Sequence, residues 1–126
     1  MIDSQAAQSA SPLNLLVCEG EYADTTAATG SWVQITDYAG YLIVLQAVGT
    51  ISTGTLIGTI ESALDGSGTG AATVHTFDTV TTSNDAPNVQ RAVLPATIGN
   101  YIRYKGTLSA GTGDIAVTLL GSKRTP

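Results

Sequence analysis

The chain is broken into short apolar segments roughly every ten residues, and no other feature limits its fold as strongly. Eight such segments follow one another: 13–19 (LNLLVCE), 31–36 (SWVQIT), 41–49 (YLIVLQAVG), 55–62 (TLIGTIES), 72–80 (ATVHTFDTV), 89–94 (VQRAVL), 100–108 (NYIRYKGTL) and 114–121 (DIAVTLLG). Gly, Ser, Asn, Asp and Pro separate them. Evenly spaced short segments with turn residues between them specify an all-β sandwich or barrel. No stretch sustains apolar residues at i, i+3, i+4 and i+7 between caps, so almost no helix is expected. Eight strands predict an antiparallel, jelly-roll-like β-sandwich.

A chain of 126 residues is sized for one domain. At this length about two thirds of the unfolded surface can be buried, enough for a core without disulfides or metal. Residues 1–12 (MIDSQAAQSASP) are small and polar, have no period and end in Pro12. They read as an N-terminal arm, either flexible or ordered only on a partner. Residues 13–126 then form the single sandwich domain.

Side-chain alternation gives an orientation to some of the strands. In 101–105, Ile102 and Tyr104 fall on one face and Tyr101, Arg103 and Lys105 on the other. Ile102 and Tyr104 are therefore expected inside, with the cations outside. Ile115, Val117 and Leu119 share a face. Tyr41 to Leu45 has no polar alternation, which predicts a central strand covered on both faces. The phrase GTISTGT at 49–55 returns as GTLSAGT at 106–112. Each phrase joins two apolar runs, and Gly54, Gly111 and Gly113 offer positive φ. The expectation is one hairpin over 41–62 and another over 101–121, as two halves of a double Greek key or as one solution used twice.

Only 12% of residues are charged, about half the usual share, so the surface is expected to be neutral and partly covered by neighbours. The net charge is −5, with no Lys or Arg in residues 1–90. The five cations, Arg91, Arg103, Lys105, Lys123 and Arg124, come later beside one acid, Asp114. Scattered in this way they make no phosphate-tracking stripe, which argues against nucleic-acid binding. The asymmetry is either accidental or an assembly device in which a basic end meets an acidic face. The one cysteine, Cys18, cannot form an internal disulfide and reads as a small buried hydrophobe. No basic n-region with a long apolar core opens the chain, and no apolar run approaches the ~20 residues of a membrane span. Synthesis in the cytoplasm is expected, with no membrane partner.

No catalytic constellation emerges. DGSGTG at 65–70 lacks the strand–helix context of a dinucleotide fingerprint and the further oxygen ligands of a calcium loop, and reads as a flexible surface turn. His75 is the only histidine, with no second ligand at metal spacing, so neither a metal nor a cofactor is expected. Ser, His and Asp occur without a nucleophile-elbow context. Glu19, Glu21 and Asp24 are the acids closest to a glycosidase pair, but acids at a strand end are ordinarily solvated. The large rings are Trp32, read as core or near-core, and Tyr22, Tyr38, Tyr41, Tyr101 and Tyr104. Clustered and exposed, they would form a sugar-binding or adhesion surface. An exposed Tyr38 or Tyr41 beside Trp32 would favour that reading, and the YIRY strand resembles discoidin-like domains over those few residues.

The run from SWVQITDYAGYLIVLQAVGTISTGTLIGTIESALDGSG to NYIRYKGTLSAGTGDIAVTLLG resembles small structural proteins encoded among the head genes of tailed bacteriophages. A W-V-x-I strand, a G-T-[IL]-S turn, a D-G-S loop and a final Y-[IV]-R-Y-x-G-T strand recur in that group. The resemblance covers about residues 13–121. It implies a viral structural protein with no catalytic residues. Its place would be the exterior of the phage head, as a capsid decoration or cement protein with a jelly-roll-like sandwich. The implied partners are the major capsid protein and further copies of the chain, as a homodimer or homotrimer. Ile2, Asp3, Ser4, Pro12 and Leu13 of the arm are the residues expected to order against the coat, with Arg103, Lys105, Lys123 and Arg124 as the basic contacts. The other readings are a carbohydrate-binding or adhesion module displayed on the virion, and a head–tail or tail component.

Overall fold

The computed structural model describes residues 13–17, 28–85 and 87–123. Ten strand segments follow in chain order: β1 (Leu13–Val17), β2 (Ala28–Thr29), β3 (Val33–Gln34), β4 (Tyr38–Ile51), β5 (Thr55–Ala63), β6 (Ala72–Thr76), β7 (Val80–Thr81), β8 (Asn88–Pro95), β9 (Tyr101–Leu108) and β10 (Gly113–Lys123). They form two antiparallel sheets. The first has the order β1-β10-β4-β8. The second runs β2-β9-β5-β6, with β3 also pairing β9 and β7 also pairing β5. Since β2 with β3, and β6 with β7, are each one edge interrupted midway, the described residues form an eight-stranded jelly roll. No helix occurs among the described residues. The eight apolar segments of the sequence thus coincide with the eight strands.

The hydrophobic core lies between the sheets. Leu42, Val44 and Val48 of β4, with Ile115, Val117 and Leu119 of β10, face Leu56 and Ile60 of β5 and Ile102, Tyr104 and Leu108 of β9. Ile102 and Tyr104 are fully buried, as alternation requires. Each fully buried Leu, Ile or Val contributes about 1.5–3 kcal/mol of hydrophobic stabilisation. One polar pair crosses this core: the Tyr104 hydroxyl donates to Gln46 Oε1 at 2.6 Å, joining β9 to β4. Room for that pair comes from two paired strand glycines, Gly58 and Gly106. A Cβ on Gly58 would overlap both Gln46 Oε1 and Tyr104 Oη, and one on Gly106 would come within 2.9 Å of the tyrosine ring.

The two expected hairpins, 41–62 and 101–121, do not form. β4 lies in the first sheet and β5 in the second, so residues 52–54 turn a corner between sheets, and residues 109–112 turn the matching corner from β9 to β10. The pairings are β4 with β10 and β5 with β9. Apolar runs flanking a Gly-containing turn look the same in sequence whether the strands pair or part, and here the core requires one strand on each side. Gly54 and Gly111 do have positive φ, 74° and 73°, whereas Gly113 is a buried residue of β10 without it.

The two repeated phrases meet in space. Ser52 N–H donates to Thr112 O at 2.9 Å and Ser109 N–H to Thr55 O at 2.9 Å. Thr112 N–H donates to Ser52 Oγ at 2.7 Å, and Thr55 N–H to Ser109 Oγ at 2.8 Å. Ser52 corresponds to Ser109 and Thr55 to Thr112 in the repeat, so the four bonds form a pseudo-two-fold clasp between the corners. The repetition in sequence is repetition in structure, with each copy bonded to the other.

Candidate assembly surface

Strand pairing dictates what the sandwich shows to solvent. On the outer face of the first sheet, β10, β4 and β8 align three rows: Leu120–Ile43–Val93, Thr118–Leu45–Arg91 and Ala116–Ala47–Val89. Only Thr118 and Arg91 in these rows are polar. Val89 and Val93 are 62% and 53% exposed, and Tyr41, opposite Pro95, is 68% exposed. The expectation that Tyr41 to Leu45 is covered on both faces is therefore corrected. β4 is central in its sheet, but Leu42 and Val44 alone face the core while Ile43 and Leu45 lie half-buried on the outside. At one end, Ala47, Gly49, Pro87, Asp114 and Ala116 border a shallow groove of about 290 Å³. A contiguous apolar sheet face of this kind is characteristic of an interaction surface.

The outer face of the second sheet has a different character. Arg103 Nε donates to Glu61 Oε1 at 2.7 Å, and its guanidinium carbon lies 4.4 Å from the centroid of the Trp32 ring. Both side chains of this pair are partly buried, and the stacking of the guanidinium on the indole contributes about 0.5–1 kcal/mol. The 65–70 loop packs against the same cluster. A Cβ on Gly68, whose φ is +86°, would come within 3.1 Å of the indole nitrogen, and Gly66 lies against the Tyr101 ring. Asp65 organises this loop by accepting from Ser67 N–H at 2.9 Å and Thr69 N–H at 3.1 Å through Oδ1. The loop is thus a pinned turn rather than a loose one. Its own carboxylate fills the amide nest that an external phosphate would need. Hydrogen bonds from the Thr69 side chain, then from the backbone of Thr69 and Ser67, hold the Asp65 carboxyl below the usual carboxylate range.

The residues expected to bind partners are dispersed. Ile2, Asp3, Ser4, Pro12 and Arg124 lie outside the described residues, as do Cys18, Glu19, Glu21, Tyr22 and Asp24. Leu13 opens β1 opposite Leu119, and Lys123 closes β10 opposite Tyr38, so both belong to the first sheet. Arg103 and Lys105 are on β9 in the second sheet, and the Arg103 charge is matched by Glu61. Arg103 and Lys105 are therefore on a different sheet from the strand that Lys123 closes. The rings are equally scattered: Tyr38 is buried, Tyr41 stands on the first sheet, and Trp32 lies beneath Arg103 on the second. Burial pushes the Tyr104 hydroxyl far above its ordinary value, and raises that of Tyr38, with the Asp37 charge adding to the effect there. Among the described residues, no three His, Cys, Asp or Glu side chains gather to hold a metal ion. No helix among them is long and apolar enough to cross a membrane.

Sequence reasoning did not single out Ile43, Leu45, Val89 and Val93 as a surface. The signal was present: β4 is apolar at both odd and even positions, and β8 places Val89 and Val93 opposite in phase to Ala92 and Leu94. Deciding which of two apolar faces is outward takes knowledge of which strands lie opposite.

The geometry defines a jelly-roll sandwich whose most distinctive surface is an apolar sheet face. No protein-family model and no curated protein matches the sequence. Solved structures do match its fold. Murine APRIL is similar over 91% of this chain and 99% of its own, with a TM-score of 0.55 at 16% identity. A protein of Bacillus endospore appendages, described as disulfide-linked pili, is similar over 91% of this chain and 88% of its own, with a TM-score of 0.55 at 14% identity. At these identities the likeness establishes the jelly roll alone.

Proposed function

We propose that this chain is a structural protein of a tailed-phage virion, a decoration or cement protein that binds the exterior of the assembled head and stabilises it. It acts as an assembly component rather than an enzyme, with the major capsid protein and other copies of itself as partners. The observation that carries this reading is the outer face of the first sheet: three rows of side chains with one charge among them, on a domain already poor in charge. A face of that composition gains by being covered. The residues quoted above for their resemblance to phage head-gene products supply the setting.

Stabilisation would follow from mass action. A protein that binds only the assembled lattice shifts the equilibrium toward it, and repeated weak contacts over the shell add by multivalency. The arm, Ile2 to Leu13, is the segment proposed to order against the coat. The test is co-sedimentation of the purified chain with DNA-free expanded heads and with unassembled coat protein. Stoichiometric binding to heads alone is expected, abolished both by deletion of residues 2–12 and by Val93→Glu, with the far-ultraviolet circular dichroism unchanged. Failure of the full chain to bind heads would overturn the proposal, and binding by the truncated chain would remove the arm from it. The carbohydrate-binding alternative would be favoured by an exposed Tyr38 or Tyr41 beside Trp32; Tyr38 is buried and Tyr41 stands on the other sheet, so this feature does not support it.

A further inference from the structure

The four sheet edges are not equivalent. In the second sheet both edges are interrupted, as β2 and β3 along β9 and as β6 and β7 along β5. In the first sheet β1 is a five-residue strand with a register shift between Asn14 and Leu16. Short, broken or bulged edges are the usual protection against unwanted strand pairing. The remaining edge, β8, is neither short, broken nor bulged, although Arg91 and Pro95 stand on it. Its eight residues pair with β4 in unbroken register from Asn88↔Val48 to Pro95↔Tyr41.

The free side of β8 follows from the ladder. Ala96 N–H donates to Gly40 O at 2.8 Å, in the same register as Leu94↔Leu42, Ala92↔Val44 and Gln90↔Gln46. Even-numbered residues therefore turn their backbone groups toward β4. Val89, Arg91 and Val93 turn theirs away, while Pro95 offers only a carbonyl there. Among the described residues these outward groups have no backbone partner. The side chains of Val89, Arg91 and Val93 also stand exposed at the rim of the apolar face.

We propose that β8 is a dimerisation edge, pairing antiparallel with β8 of a second copy of this chain. Among the described edges only β8 is long and unbroken, so a strand offered by a second copy is β8 itself, and the interface is isologous and closed. Registry is limited by one residue. Centring the pair on Arg91 would set two like charges directly opposite. A shift of two residues centres it on Ala92 and places Arg91 opposite the second copy's Val93. The arginine stem then packs on valine with its charge in solvent. The result is a continuous eight-stranded sheet whose apolar outer face is twice as wide. This inference is independent of the virion reading and stands or falls without it.

Sedimentation equilibrium and amide hydrogen exchange on the full chain test it together. The wild type should run at twice the chain mass of 12.8 kDa at about 100 μM. The amides of Val89, Arg91 and Val93 should exchange about tenfold or more slowly there than at high dilution, while those of Gln90, Ala92 and Leu94 are protected at both concentrations. Arg91→Pro removes an outward N–H and leaves the β4 ladder intact, so it should give a folded monomer. Arg91→Ala should remain dimeric. A monomeric or trimeric wild type, a dimeric Arg91→Pro, or concentration-independent exchange at Val89, Arg91 and Val93 would each overturn the proposal.

Discussion

Gln46 is the buried polar residue whose neighbourhood most constrains the sequence. Its carbonyl oxygen takes the Tyr104 hydroxyl, its amide nitrogen is buried without a hydrogen-bond partner, and Gly58 is small because this pair leaves no room for a Cβ. Removing one member strands the other. Tyr104→Phe should destabilise by about 1–3 kcal/mol in urea denaturation, whereas Tyr104→Phe with Gln46→Leu should recover most of that loss, because two buried polar groups then vanish together. Asp65 makes a second prediction at this scale. Its folded pKa is depressed, so the stability it contributes is present above the unfolded carboxyl value of about 3.9 and is lost as pH falls through the folded value. In an NMR titration the Ser67 and Thr69 amides should move together with a midpoint below about 3.9, and Asp65→Asn should remove that transition.

At the scale of elements, the corner clasp is the feature that the repeated phrase encodes. Its two halves make equivalent bonds, so Ser52→Ala and Ser109→Ala should cost similar amounts, each about 0.5–1.5 kcal/mol by chemical denaturation. A large inequality would contradict the symmetry. The strands themselves were legible: turn residues every ten positions mark eight segments, and the alternation of Ile102 and Tyr104 against Arg103 and Lys105 orients β9 correctly. Pairing was not legible. Two runs joined by a Ser-Gly turn read as a hairpin, and only the need for a core on both sides sends β4 and β5 into different sheets. For the same reason the outward face of β4 was hidden, since both of its faces are apolar and neither carries a local mark of exposure. The assembly surface was thus only partly readable: the poverty of charge is a property of composition, but the rows that concentrate it are made by register.

For the whole molecule, the described surface divides into two sides. On the second sheet Arg103 pairs with Glu61 over the Trp32 ring, and the 65–70 loop carries its own anion. The first sheet leaves an apolar face and an unbroken edge without partners among the described residues. A molecule arranged in this way is suited to assembly, and the virion proposal names the assembly. The most direct measurement is the copy number of this chain in purified particles of the phage proposed to encode it, by quantitative mass spectrometry against the major coat protein. A shell component predicts hundreds of copies in fixed ratio to the coat. About a dozen copies or fewer would place the chain at the neck or tail, and absence from the particle would contradict the virion account altogether.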